Sequence, residues 1–123
     1  MGERVLVVDN EKEVSNFLVS FLKRRNIKVF SATSAATAVE IYKKEKPNVV
    51  LLDIVMPDMD GLTLLQRLKA IDSGPHIGML TSRKSSVVIA EVKKLGAEVF
   101  LSKPVELSEI DKVIKGFLGR DRV

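Results

Sequence analysis

Short continuous apolar runs alternate along the chain with longer stretches whose apolar residues recur every third or fourth position. Arg4 to Val8 reads as a buried strand. From Glu11 to Arg25, residues Val14, Phe17, Leu18, Phe21 and Leu22 fall on one helical face. Ile27 to Phe30 reads as a short strand. Thr33 or Ser34 is placed to cap a helix carrying Ala35, Ala38, Val39 and Tyr42, which Pro47 stops. Asn48 to Asp53 is a strand whose apolar run ends on an acid. After the turn MPDMDG, a helix runs from Leu62 to about Ile71, and Ser73-Gly74-Pro75 breaks it. His76 to Leu80 is a fourth strand ending on Thr81. Lys84 to Leu95 is a helix closed by Gly96. Val99 to Leu101 and Leu107 to Leu118 complete the set as a strand and a helix.

Strict alternation of strand and helix predicts parallel strands joined by helical crossovers. The run at 49–52, apolar at every position, agrees, because helices cover both faces of such a sheet. No G-x-G-x-x-G follows the first strand, so the Rossmann dinucleotide fingerprint is missing. The expectation is a shorter, five-stranded, doubly wound α/β domain with helices on both faces, spanning 1–123 with its core at about 3–118. Ligands of such sheets bind beyond the carboxyl ends of the strands, near the switch in strand order.

Composition narrows this only a little. The 123 residues are 46% hydrophobic and 29% charged, the balance of a globular domain. There is no cysteine, hence no disulfide or thiolate metal site, which is compatible with a cytoplasmic location. No apolar run reaches the roughly 18 residues a membrane helix needs. The net charge of +4 raises the question of nucleic acid. Its clusters, however, include Lys23-Arg24-Arg25, Lys43-Lys44 and Lys93-Lys94, at expected helix ends where cations suit the dipole. Direct nucleic-acid binding is therefore not expected, and neither is a membrane.

The strand ends carry the chemistry. Asp9, Asn10 and Glu11 follow the first strand, Asp53 the third, Thr81 the fourth and Lys103 the fifth. Singly, each has a plain alternative. Asp9 or Asn10 can cap the first helix, Thr81 or Ser82 the fourth, Asp53 can be a turn acid and Lys103 a solvated loop lysine. Together they form a set with complementary chemistry. Oxygens of Asp9, Asn10 and Asp53 suit a hard cation such as Mg2+. A carboxylate beside that ion can attack a phosphoryl group. The Thr81 hydroxyl and the Lys103 ammonium are natural donors to the charge that transfer brings.

These residues sit in motifs that resemble the response-regulator receiver domain over essentially the whole chain. The motifs are VLVVDN at 5–10, VVLLDIVMPDMDG at 49–61, MLTS at 79–82 and LGAEVFLSKP at 95–104, in that order. The resemblance implies a flavodoxin-like (βα)5 fold with strand order 2-1-3-4-5. It implies a two-component signalling switch, not an enzyme in the ordinary sense, with slow autodephosphorylation at most. A histidine kinase or phosphotransfer protein would donate a phosphoryl group to Asp53. Asp9 would hold Mg2+ through water, and Val55 would offer its backbone carbonyl. Thr81 and Lys103 would contact the phosphoryl group, and the Lys103–Pro104 bond would be cis. Phe100 matches the switch aromatic that turns inward with Thr81, although a core role suits it equally. Arg83 and Val55 would flank the site and tune attack of water on the acyl phosphate.

Asn10 departs from the family, which places a second acid there as a direct metal ligand. The expectation is weaker Mg2+ binding, with Glu11 as the one nearby group able to compensate. Signalling is expected through the surface around helix 4, strand 5 and helix 5. There Val88, Val92 and Leu95 share a helical face, and Val87 and Ile89 lie on its flanks, partly buried or docking a downstream partner. Two other readings stay open. One is a phosphorylation-independent interaction module with an altered acid pair. The other is an aspartate-nucleophile phosphohydrolase, whose D-x-D-G-T pattern contrasts with DNEKE here. Only Gly119 to Val123 follow Leu118, so the reading is of a stand-alone receiver or one cut from a larger regulator.

Overall fold

In the computed structural model, which describes residues 3–81 and 86–117, the apolar runs pair into one five-stranded parallel sheet. The elements in order are β1 (Arg4–Val8), α1 (Lys12–Lys23), β2 (Lys28–Ala32), α2 (Ala35–Glu45), β3 (Val49–Asp53), α3 (Gly61–Ile71), β4 (His76–Thr81), α4 (Ser86–Lys94), β5 (Val99–Ser102) and α5 (Leu107–Phe117). The strand order is β2-β1-β3-β4-β5, as the resemblance implies. Among the described residues no helix is long and apolar enough to cross a membrane.

Alternation along each strand sends side chains to two separate cores. Val5 and Val7 of β1 join Val49 and Leu51 of β3 beneath α1 and α5, packed by Leu18, Phe21, Leu22, Ile110 and Ile114. Leu6 and Val8 join Val50 and Leu52 on the other face, beneath α2, α3 and α4. Both faces of β3 are therefore buried, which is why its apolar run is unbroken.

Several boundaries differ from the sequence expectation. Strand β2 runs on to Ala32 because Ser31 and Ala32 pair with Val7 and Val8; the exposed Ser31 disguises this. Helix α1 stops at Lys23, and Asn26, at φ 61°, turns the chain in the left-handed region that asparagine tolerates. Ser34 is the residue that caps α2, its Oγ accepting from the Thr37 N–H at 3.2 Å. Gly96 takes φ +107° after α4, the role expected of it. Lys84 and Leu118, expected at helix ends, lie outside the described residues.

Gly78 in β4 has a packing explanation. An added Cβ would lie 2.8 Å from Val99 Cγ2, in the space where Val99 and the Phe117 ring close over the strand. Gly61 matters more for the site, because it lets the start of α3 press against the chain leaving β3. A Cβ there would stand 2.5 Å from both the Cα and the carbonyl oxygen of Ile54, and the Gly61 N–H donates to that carbonyl at 2.8 Å. Backbone cannot yield as a side chain can. Gly61→Ala is therefore expected to cost about 1–3 kcal/mol by overpacking. Gly116→Ala, whose Cβ would meet nothing within 4 Å in α5, is expected to gain roughly 0.5–1 kcal/mol. Urea unfolding of the two variants checks both signs.

Candidate functional site

The path of the chain builds the site. From β1, the second strand in the sheet, it winds outward to β2, then crosses to β3, β4 and β5 on the other side, so the switch point lies between the carboxyl ends of β1 and β3. Val8 pairs with Leu52, which sets Asp9 and Asp53 side by side. Asp53 pairs with Leu80, and Thr81 with Ser102. The Lys103 N–H then donates to the Thr81 carbonyl at 2.8 Å. Four strand ends thus converge on one edge.

At that edge the Lys103 ammonium sits among three carboxylates: Glu11 Oε1 at 2.6 Å, Asp9 Oδ2 at 2.8 Å and Asp53 Oδ2 at 3.0 Å. The opposite oxygens of the two aspartates take backbone donors. Asp9 Oδ1 accepts the Glu11 N–H at 2.9 Å and Asp53 Oδ1 the Val55 N–H at 3.1 Å. These local bonds fix both carboxylates before any ligand arrives. Asp9, Asp53 and Thr81 are buried, and the Lys103 side chain is only 11% exposed. The turn-acid and solvated-lysine alternatives for Asp53 and Lys103 therefore fail.

Burial and charge pull against each other here. Burial pushes the Asp9 carboxyl above its ordinary 3.8, and the neighbouring Asp53 adds to the rise, against the lowering effect of Lys103 and the Glu11 N–H. Burial alone would lower the Lys103 ammonium, but the neighbouring carboxylates of Asp9, Glu11 and Asp53 outweigh it and raise the group above its usual range. Asp9 Oδ2 touches the ammonium as an ion pair yet accepts no aligned hydrogen bond, a buried oxygen left with unused capacity. Asp9, Glu11 and Asp53 each offer one oxygen, all within 4.8 Å of one another. Hard, anionic oxygens so grouped fit a cation such as Mg2+.

The other expected site residues fall as follows. Asn10 is exposed and among the described residues its side chain makes no hydrogen bond, while Glu11 turns into the cluster. Neither Asp9 nor Asn10 is the helix cap, since Glu11 holds that position without a capping side-chain bond. Val55 is 51% exposed at the rim and reaches the site through its N–H. The Lys103–Pro104 bond is cis, and Pro104 is exposed. Phe100 and Leu95 are half-buried against the core formed with α2, α3 and α4, and Val92 is buried within it. Ile89 is half-buried. Ser82, Arg83 and the side chains of Val87 and Val88 lie outside the described residues.

Two contributors escaped the sequence reading. Gly61 seats α3 against Ile54, just beyond Asp53, and its only sequence signal is a glycine opening a helix. Asp58 reaches from the loop after Asp53 to the start of α2, accepting the Ala35 N–H at 2.8 Å and the Ala36 N–H at 3.2 Å. Those backbone donors hold its carboxyl below the usual range.

Residues 5–115 match the family model described as the response regulator receiver domain. The chain is 33% identical over 118 residues to sporulation initiation phosphotransferase F of Bacillus subtilis, covering 96% of this chain and 95% of that protein. It is 32% identical over 118 residues to chemotaxis protein CheY of Halobacterium salinarum, covering 96% and 98%. A CheY-like receiver domain from Methanospirillum hungatei superposes with a TM-score of 0.93 at 25% identity, covering 99% and 98%.

The raised Asp9 carboxyl has a signed consequence. Between 3.8 and its raised value the folded state binds more protons than the unfolded state, so this group lowers stability as pH rises through that window. In metal-free buffer, the stability of Asp9→Asn relative to wild type is expected to increase from pH 4 to pH 7. Urea midpoints in EDTA test this, and a gap that stays flat or narrows contradicts it.

Proposed function

The chain belongs to the response-regulator receiver family, and from that membership we propose that it is a phosphorylation-driven switch with Asp53 as the acceptor. Domains of this family accept phosphoryl groups from histidine kinases or phosphotransfer proteins and bind Mg2+ at an acidic cluster. They are phosphoacceptors of two-component signalling, not enzymes in the ordinary sense. The observation that carries the assignment to Asp53 is its carboxylate, buried at the switch point, held on one oxygen by the Val55 N–H and on the other by Lys103.

In this reading an Asp53 oxygen attacks phosphorus. The bond from phosphorus to the donor breaks, and its electron pair leaves with the donor. Asp9, Asp53 and the backbone carbonyl of Val55 would hold Mg2+, which when bound screens the charge between the carboxylate and the incoming phosphoryl oxygens. Lys103 donates to those oxygens, as it now donates to Asp53. Thr81, buried beside it at the end of β4, supplies a hydroxyl donor. The new charge draws Thr81 and Lys103 inward, and Phe100 follows from its half-buried position, altering the surface of α4, β5 and α5. Val55, apolar and half in solvent, leaves the attacking water unanchored and lengthens the life of the acyl phosphate. The competing reading, an interaction module that is never phosphorylated, rests on Asn10. The intact set of Asp53, Thr81 and Lys103 favours the switch.

Incubation with acetyl phosphate and Mg2+ is expected to add one phosphoryl mass to the wild type and none to Asp53→Asn. Absence of an adduct in the wild type supports the interaction module. Asn10 lacks the charge of an acid, so Asn10→Asp is expected to tighten Mg2+ binding about tenfold, or about 1.4 kcal/mol. Equal affinities in titration calorimetry contradict the proposed weakening.

A further inference from the structure

Helix α1 begins in an unusual way. Its capping position is held by Glu11, extended at φ −89° and ψ 108°, whose side chain makes no capping bond. A side chain there ordinarily accepts from the first turn. This one turns instead into the site, where Oε1 lies 2.6 Å from the Lys103 ammonium. Its backbone is anchored beside Asp9 by the bond from its N–H to Asp9 Oδ1, while its side chain is 58% exposed. Glu11 is thus fixed at its root, while its solvent-exposed tip is held by the Lys103 ammonium.

Three carboxylates against one ammonium sum formally to −2, a charge that one divalent cation neutralises. Asp9 Oδ2 is fully buried and pairs with the ammonium at 2.8 Å, yet it accepts no aligned hydrogen bond. Asn10 is exposed, and among the described residues its side chain makes no hydrogen bond. We propose that Glu11, not Asn10, supplies the third anionic ligand of the cation site, and that it exchanges Lys103 for the metal when the metal binds. This rests on the reading of the edge as a Mg2+ site.

Oxygens on one Mg2+ ion lie about 3 Å apart when adjacent and about 4 Å when opposite, from bond lengths near 2.1 Å. The three carboxylate oxygens already fall within 4.8 Å of one another. A small movement of the exposed Glu11 tip closes the set, where Asp9 and Asp53 are held by their backbone bonds. The same movement removes one of the three anions that hold Lys103, leaving its ammonium freer to meet an incoming phosphoryl group. Glu11 therefore acts on Lys103 as a positioning residue, through the metal.

Titration calorimetry with MgCl2 on the full chain tests this. Glu11→Gln is expected to weaken binding about tenfold, while Asn10→Ala changes it less than about threefold. Carboxyl carbon NMR of the wild type gives an independent readout needing no variant to fold. The Glu11 Cδ resonance is expected to shift along the calorimetric isotherm, while that of Glu13, exposed on α1, stays in place. Binding by wild type with Glu11→Gln within twofold of it, or a silent Glu11 resonance at saturation, overturns the proposal and leaves the Mg2+ reading standing. A wild type that binds no Mg2+ at all overturns both.

Discussion

A lysine ammonium surrounded by carboxylates is the contact on which the rest of the site depends. Removing Lys103 would leave Asp9 and Asp53 side by side, buried and uncompensated, which a low-dielectric setting penalises heavily. Keeping it leaves a net negative charge that a divalent cation can neutralise. The edge is therefore balanced between two cations, one covalently part of the chain and one exchangeable. A phosphoryl group arriving there meets a donor already in place.

That balance needs a scaffold that cannot slip. A shift of one residue in the pairing of β1 with β3 would turn Val5, Val7 and their neighbours onto the wrong core and carry Asp9 away from Asp53. The two packed faces thus enforce the register that the chemistry requires. Gly61 adds a second constraint, since α3 docks so closely on Ile54 that only hydrogen fits. Asp58 ties the same loop to α2 through two backbone donors. The loop after Asp53 is held at both ends.

Much of this was legible in the residues. The apolar run at 49–52 ending on Asp53 marked a buried strand with a site at its tip, and alternation with helical spacing gave the layered architecture. Boundaries were harder where local chemistry was ambiguous, as at Ser31, a polar residue beyond the apolar run that nevertheless pairs in the edge strand. That Asn10 faces solvent while Glu11 turns into the cluster was not readable. Consecutive residues in a turn point wherever the backbone sends them, and here the Asp9 carboxylate, by capturing the Glu11 N–H, sets that direction. The glycines needed through-space neighbours: Gly78 answers to Val99 and Phe117, which spacing along the chain does not reveal.

The proposed account is of a sheet edge where three carboxylates outweigh one ammonium and where a phosphoryl group on Asp53 would add further negative charge. Its central claim is the identity of the acceptor, and chemical mapping tests that most directly. Borohydride reduces an aspartyl phosphate to homoserine, so the protein is treated with acetyl phosphate and Mg2+, reduced and analysed by peptide sequencing. Homoserine at position 53, and at no other acidic residue, is the result predicted. Homoserine at Asp9 or elsewhere with Asp53 unchanged, or none at all, contradicts the account.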